Sequence, residues 1–187
     1  RMASDTFFDD KSIVVIDKQK DKGNDRTWCF WESGTGEWND VLHKRWKKIY
    51  FGSDWLNKQI DIFPYEYKMI RSAPFYNKLW KRINENTNIS FHQAEVSGVE
   101  NLENSVIVHT NSKTFETSKA FNSLNFNDDY KTQTKFPVLQ QHFIGWFIKT
   151  ETPQFDDSVA TFMDFEIPQN GNTRFMYILP TTKTDAL

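Results

Sequence analysis

The sequence predicts an α/β fold, in which a Rossmann-like nucleotide-binding part is joined to an antiparallel β-sheet part. Three observations predict it. Ser12 to Ile16 reads as an apolar, β-branched run of the kind buried on both faces of a sheet, and it ends in Asp17. Residues 72–84 place Phe75, Leu79 and Ile83 at four-residue spacing, with Tyr76 and Trp80 beside them, which is one amphipathic helix. The last part of the chain offers only strand-like segments. Strands with one crossover helix followed by antiparallel strands give that order of architectures.

The remaining elements follow from local chemistry. Residues 1–8 read as the tail of a helix stopped by Asp9-Asp10, and residues 18–27, charged and containing Gly23, as a loop. Strands are expected over Lys48 to Phe51 and Gln59 to Ile62, with Gly52-Ser53-Asp54 turning between them. Ser72 is a helix N-cap with Pro74 in the first turn. Ile89 to Gln93 is a strand. Val96 to Asn101, Ser105 to Thr110 and Lys113 to Thr117 form a meander, with Asn104 and Asn111-Ser112 as turn residues. Further strands are expected over Ala120 to Leu124, over Val138 to Thr150 with a bulge at Gly145, over Thr161 to Phe165 and over Thr173 to Leu179; residues 125–135 read as a loop.

Composition excludes several classes. The net charge of −2 over 187 residues leaves no basic stripe for nucleic acid. Cys29 is the single cysteine, so no internal disulfide forms, and its apolar neighbours predict an inert thiol in a reducing compartment. The longest apolar run, Phe143 to Ile148, is far short of the roughly 20 residues of a membrane span. Peripheral membrane association is left open. Aromatic residues make 16% of the chain, which fits an aromatic core or a large apolar ligand.

Few residues carry candidate chemistry. Asp17, at a strand end, is placed to accept hydrogen bonds from ribose hydroxyls, or is simply a loop carboxylate. Arg26 and Arg71 read either as surface cations or as contacts to a pyrophosphate, Arg71 standing just before a helix start. Asp164 lies in the apolar segment Thr161-Phe162-Met163-Asp164-Phe165. There, desolvation would favour a protonated carboxyl able to donate a proton, unless strand alternation turns it to solvent. His142 reads as a satisfied polar residue, and His43, His92 and His109 are too scattered for a metal site. No nucleophile motif, phosphate loop or zinc spacing is present.

Several segments in order carry a family likeness. They are Ile16-Asp17-Lys18 with Asn24-Asp25-Arg26-Thr27-Trp28-Cys29-Phe30-Trp31, then Tyr67-Lys68-Met69-Ile70-Arg71, then Gln141-His142-Phe143-Ile144-Gly145-Trp146. Ala160-Thr161-Phe162-Met163-Asp164-Phe165 and Phe175-Met176-Tyr177-Ile178-Leu179-Pro180 complete the series. Together they resemble lycopene cyclases of the β-cyclase type, flavobacterial-like, over nearly the whole chain.

The resemblance implies an FAD-binding fold similar to aromatic hydroxylases, with residues 1–47 and 86–124 in the FAD-binding part and residues 48–85 and 125–187 in the antiparallel substrate part. It implies an intramolecular lyase of carotenoid biosynthesis that uses reduced FAD, with NAD(P)H as electron source, to cyclise the ψ ends of lycopene without net redox change. The implied location is cytoplasmic or on the inner face of the cytoplasmic membrane. By carry-over, Asp17 and Arg26 would contact FAD, and Glu95 and Val96 would pass the adenine through backbone groups. Asp164 would be the acid or would support it, and Trp146, Phe162 and Tyr177 would line the substrate pocket. A related FAD-dependent isoprenoid reductase or hydroxylase, or a non-catalytic carotenoid-binding module, would share the likeness. The glycine-rich FAD loop would precede Arg1 and the acidic motif credited with cyclisation would follow Leu187. The chain is therefore expected to be an internal segment that is inactive by itself and does not hold FAD tightly.

Overall fold

The structure is a computed structural model that describes residues 2–124, 126 and 129–187. Two short 3-10 turns, Met2–Ser4 and Thr6–Phe8, precede β1 (Ile13–Asp17), β2 (Thr27–Ser33), β3 (Leu42–Trp46), β4 (Lys48–Ser53), β5 (Leu56–Asp61) and β6 (Tyr65–Arg71). Then come α1 (Ser72–Asn84), β7 (Ile89–Gln93), β8 (Val96–Asn101), β9 (Val106–Thr110), β10 (Thr114–Thr117) and the short α2 (Asp129–Thr132). The chain closes with β11 (Ile148–Lys149), β12 (Val159–Asp164), β13 (Met176–Ile178) and β14 (Asp185–Ala186). They fall into two compact units: residues 1–22 with 79–142, and residues 23–78 with 143–187.

In the first unit β1 and β7 pair in parallel, from Ile13 opposite Ile89 to Asp17 opposite Gln93. Parallel neighbours need a crossover rather than a hairpin, and their carboxyl ends share one edge. β8, β9 and β10 form the expected antiparallel meander. Trp80, in the second half of α1, meets Phe91 of β7 edge to face at 4.9 Å between centroids.

The second unit holds two larger sheets. One is ordered β2-β6-β3, all antiparallel. The other is ordered β13-β12-β4-β5, with β12 antiparallel to β13 but parallel to β4. Trp46, Ile49, Tyr67, Met69, Ala160 and Leu179 form the core, drawn from both sheets, with Ile60 and Phe162 packed against it. Trp46 also donates its indole N–H to the Pro180 carbonyl at 3.1 Å, which satisfies the polar atom of a ring only 1% exposed.

The fold departs from expectation at identifiable points. The final strands do not form a purely antiparallel group, because β12 and β4 run in parallel. Residues 23–47, expected with the first part, belong to the second unit, where β2 pairs along its whole length with β6. Residues 2–8 form 3-10 turns and not a helix tail. Ala120–Leu124 forms no strand, and of Val138–Thr150 only Ile148–Lys149 pairs, with β14. An apolar sequence favours a strand only when a neighbouring backbone completes its ladder. Of the loop expected over 125–135, residues 125, 127 and 128 lie outside the described residues, and Asp129–Thr132 makes one helical turn. The Ser72 hydroxyl does not cap its own helix. It accepts from the Arg26 N–H at 3.0 Å and donates to the Gly23 carbonyl at 3.2 Å, while Asn24 Oδ1 takes the Ala73 N–H at 2.9 Å. Loop and helix start therefore cap each other.

Candidate functional site

Asp17 ends β1 at the carboxyl edge of the parallel pair. Its carbonyl accepts the Ala94 N–H at 3.1 Å, which draws the turn after β7 to the same edge. One carboxylate oxygen accepts the Gln19 N–H at 2.9 Å and the other meets Lys22 Nζ. Burial pushes this carboxyl up, but the hydrogen bonds from Lys22 and Gln19 and the charges of Lys22 and Lys18 outweigh it and hold the group below its ordinary value. Asp17 is thus an ionised acceptor at a strand end, shared with a lysine. Glu95 lies on the same edge, and its N–H and carbonyl both pair with Asn111, at 3.1 Å and 3.0 Å. Val96 opens β8 opposite Thr110.

The remaining candidates except His142 belong to the second unit. Arg26 has an exposed side chain near Asp25 at 3.7 Å, and its backbone N–H and carbonyl are both bonded to Ser72. Arg71 is different. It stacks on the Phe147 ring at 4.5 Å and its Nε is buried with no hydrogen-bond partner among the described residues. It lines a cavity of about 510 Å³ with His43, Phe147, Lys149, Thr181 and Asp185. Burial, then the charges of Arg71 and Lys44, lower the His43 pKa, so that ring adds no charge near neutrality. A buried guanidinium nitrogen without an acceptor is a poor structural element and a good anion contact.

Phe162 and Tyr177 do meet, at 5.6 Å between centroids, within a continuous run of rings. Phe162 touches Trp31 at 5.2 Å and Tyr67 at 5.4 Å, and Tyr177 touches Phe175 at 5.3 Å. Beneath them the Cys29 thiol interacts with the Tyr67 hydroxyl, and burial pushes that thiol up to about 11. Burial likewise raises the Tyr67 hydroxyl well above its ordinary value. Trp146, by contrast, is 72% exposed and takes no part in this run.

The register decides where Asp164 goes. β12 carries one extra residue: Thr161 opposes Tyr50 of β4, but Met163 opposes Phe51 and Asp164 opposes Gly52. The same shift appears against β13, where Thr161 opposes Ile178 and Asp164 opposes Met176. Successive residues alternate faces, and a bulge reverses that alternation. Ala160 and Ile49 mark the core face. Past the bulge at Phe162, that face takes Met163, while Asp164 turns to the face of Tyr50 and Gly52. Phe162 and Tyr177 therefore pack toward the core and Asp164 lies on the other side of the sheet.

On that side Asp164 is half-buried. Its Oδ1 accepts the Glu166 N–H at 2.9 Å. The Glu166 carboxylate accepts from Tyr50 at 3.0 Å and from Asn57 Nδ2 at 2.8 Å. Among the described residues Oδ2 of Asp164 has no hydrogen-bond partner, so one oxygen remains to hold or pass a proton. Sequence reasoning missed Tyr50, Asn57 and Glu166: Tyr50 lies within the strand expected over Lys48 to Phe51, but Asn57 lies outside the one expected over Gln59 to Ile62.

With this geometry in view, comparison with known families is decisive: the chain matches the family model described as lycopene cyclase protein over residues 4–187. The chain belongs to the lycopene cyclase family. No curated protein matches it. Membership in the lycopene cyclase family implies an FAD-binding-like fold, consistent with a mixed α/β chain of several small sheets that include parallel pairs. In the first unit the ionised Asp17 at a parallel strand end suits ribose hydroxyls, and in the second unit the orphaned Arg71 Nε suits an anion. Among the described residues no helix of this lycopene cyclase family member is long and apolar enough to cross a membrane, and no group of His, Cys, Asp and Glu could hold a metal ion.

Proposed function

We propose that the protein is a lycopene β-cyclase, converting ψ ends of lycopene to β-ionone rings by an acid-initiated, non-redox cyclisation with bound FAD. The family match over residues 4–187 carries this reading. FAD, kept reduced by NAD(P)H, would supply electron density near the cationic substrate. Asp17 would hold its ribose with the turn at Glu95 and Val96 beside the adenine, and Arg26 and, separately, Arg71 are candidates for a phosphate contact.

Asp164 is the residue we assign to the acid. As the acid it would give a carboxyl proton to the terminal double bond of the polyene. The charge passes to carbon, the ring closes, and a different proton leaves carbon for the Asp164 carboxylate, which restores the acid and leaves the mass unchanged. Glu166 and the Tyr50 ring put negative charge and π density on the same side, which favours the cationic transition state. Phe162 and Tyr177 beside the bulge, and the exposed Trp146, are the candidates for contact with the apolar substrate. Lycopene has nothing to hydrogen-bond, so its affinity comes from apolar burial at roughly 25 cal/mol per Å².

The full-length protein, expressed in a lycopene-accumulating bacterial host, should yield cyclic carotene of unchanged mass. Products gaining hydrogen or oxygen would make it a reductase or hydroxylase. Lycopene bound but never converted, with reduced FAD supplied, would make it a binding module.

A further inference from the structure

Gly52 has an unremarkable extended backbone and a full set of strand pairings, opposite Asp164 on one side and Asn57 on the other. Its carbonyl accepts the Phe165 N–H at 2.8 Å. No turn and no left-handed φ requires glycine here. What does require it is space. A Cβ at this position would lie 2.8 Å from Asp164 Oδ1 and 3.0 Å from both Cε1 and the hydroxyl oxygen of Tyr50. These contacts are too short for carbon, and every atom involved is the far end of a side chain.

We infer that Gly52 and Tyr50 form a cradle that positions the Asp164 carboxyl group, so that both are positioning residues for proton transfer. This rests on the assignment of Asp164 as the acid. The missing side chain lets the carboxyl group lie down onto strand β4, and the Tyr50 ring arches over the same spot to reach Glu166 at 3.0 Å. Burial, the hydrogen bond to Glu166 and the charges of Glu166 and Asp164 raise the Tyr50 pKa, so the phenol stays a donor. Charged groups facing Tyr50 are these two carboxylates alone among those that shift it. A methyl group on residue 52 would displace the carboxyl group and the phenol while leaving both strands in register. Misplacement by about 1 Å is enough to cost a large factor in rate.

The test is a double-mutant cycle on the full-length enzyme with lycopene as substrate. Gly52→Ala should lower kcat at least 10-fold, change KM less than 3-fold and keep FAD content and Tm near those of the parent. In an Asp164→Asn background the same change should cost less than 2-fold, because there is no carboxylic acid left to position. Equal losses in both backgrounds, or no loss in the first, would overturn the cradle. An Asp164→Asn enzyme of unchanged turnover would instead overturn the assignment of the acid itself, and the cradle with it. If Gly52→Ala does not fold, Tyr50→Phe run through the same cycle reads the same coupling, with a kcat loss expected only where Asp164 is present.

Discussion

Lys68 Nζ lies 2.9 Å from Glu32 Oε2 between β6 and β2, and no part of the lysine side chain reaches solvent. The ammonium also meets the Gly34 carbonyl and donates to Asn39 Oδ1 at 2.9 Å. A buried charge survives only when paired and fully hydrogen-bonded. Lys68→Ala leaves a carboxylate, a carbonyl and an amide oxygen without their donor, and should cost about 3–5 kcal/mol. Urea unfolding measures it. A loss under ~1 kcal/mol would mean that water replaces the ammonium freely.

Asp17 and Lys22 make the next prediction. The native Asp17 carboxyl sits below its ordinary value, so it releases its proton more readily folded than unfolded. Its contribution to stability is present above the unfolded value near pH 3.9 and is lost as pH falls through the folded value. Lys22→Met should reduce that acid-side loss. If Asp17 holds a ribose, Asp17→Ala should weaken FAD about 10-fold, whereas Lys22→Met should not weaken it. Flavin fluorescence titration separates the two, and equal weakening by both would point to general damage.

Cys29 should be inert. With the thiol pushed up to about 11 by burial, little thiolate exists at pH 8, and alkylation should reach it only after denaturation. The linkage has the opposite sign to that of Asp17. Between the unfolded value near 8.5 and the folded value the unfolded chain has already lost the proton, so stability falls as pH rises. Rapid native labelling at pH 8 would contradict the burial.

Asp164→Asn keeps the shape and the Glu166 contact but cannot supply the proton. Turnover should fall at least ~100-fold with Tm nearly unchanged. Carotenoid chromatography on the full-length protein, paired with thermal unfolding, provides both readouts. Unchanged cyclisation removes Asp164 from the chemistry.

Strands β1 and β7, the meander and helix α1 were legible because each announces itself locally, through β-branched runs, Asn-rich turns or four-residue spacing. Strands β2, β3 and β6 were not. Lys68 occupies a buried place in Tyr65–Arg71, and Thr27–Ser33 mixes aromatic and polar residues so that alternation disappears. In the candidate site the residue Asp164 was legible and its direction was not. Direction depends on which neighbour's residue each β12 residue opposes, and that is a property of three strands together. Arg71 showed in sequence only as a cation near a helix start, and the orphaned nitrogen that singles it out exists only once Phe147 covers the guanidinium.

The extra residue at Phe162 gives the sheet a parity. If Phe162 paired regularly with Phe51 at the present length, Met163 would stand opposite Gly52 and the carboxylate would swing to the side of Ala160, which is 0% exposed. Deleting the one extra residue would instead leave Met163 opposite Phe51 and Asp164 opposite Gly52 in an unbroken ladder. The side the acid takes is therefore set by length and bulge together. A substitution alters one group, whereas straightening the bulge exchanges the acid for the core.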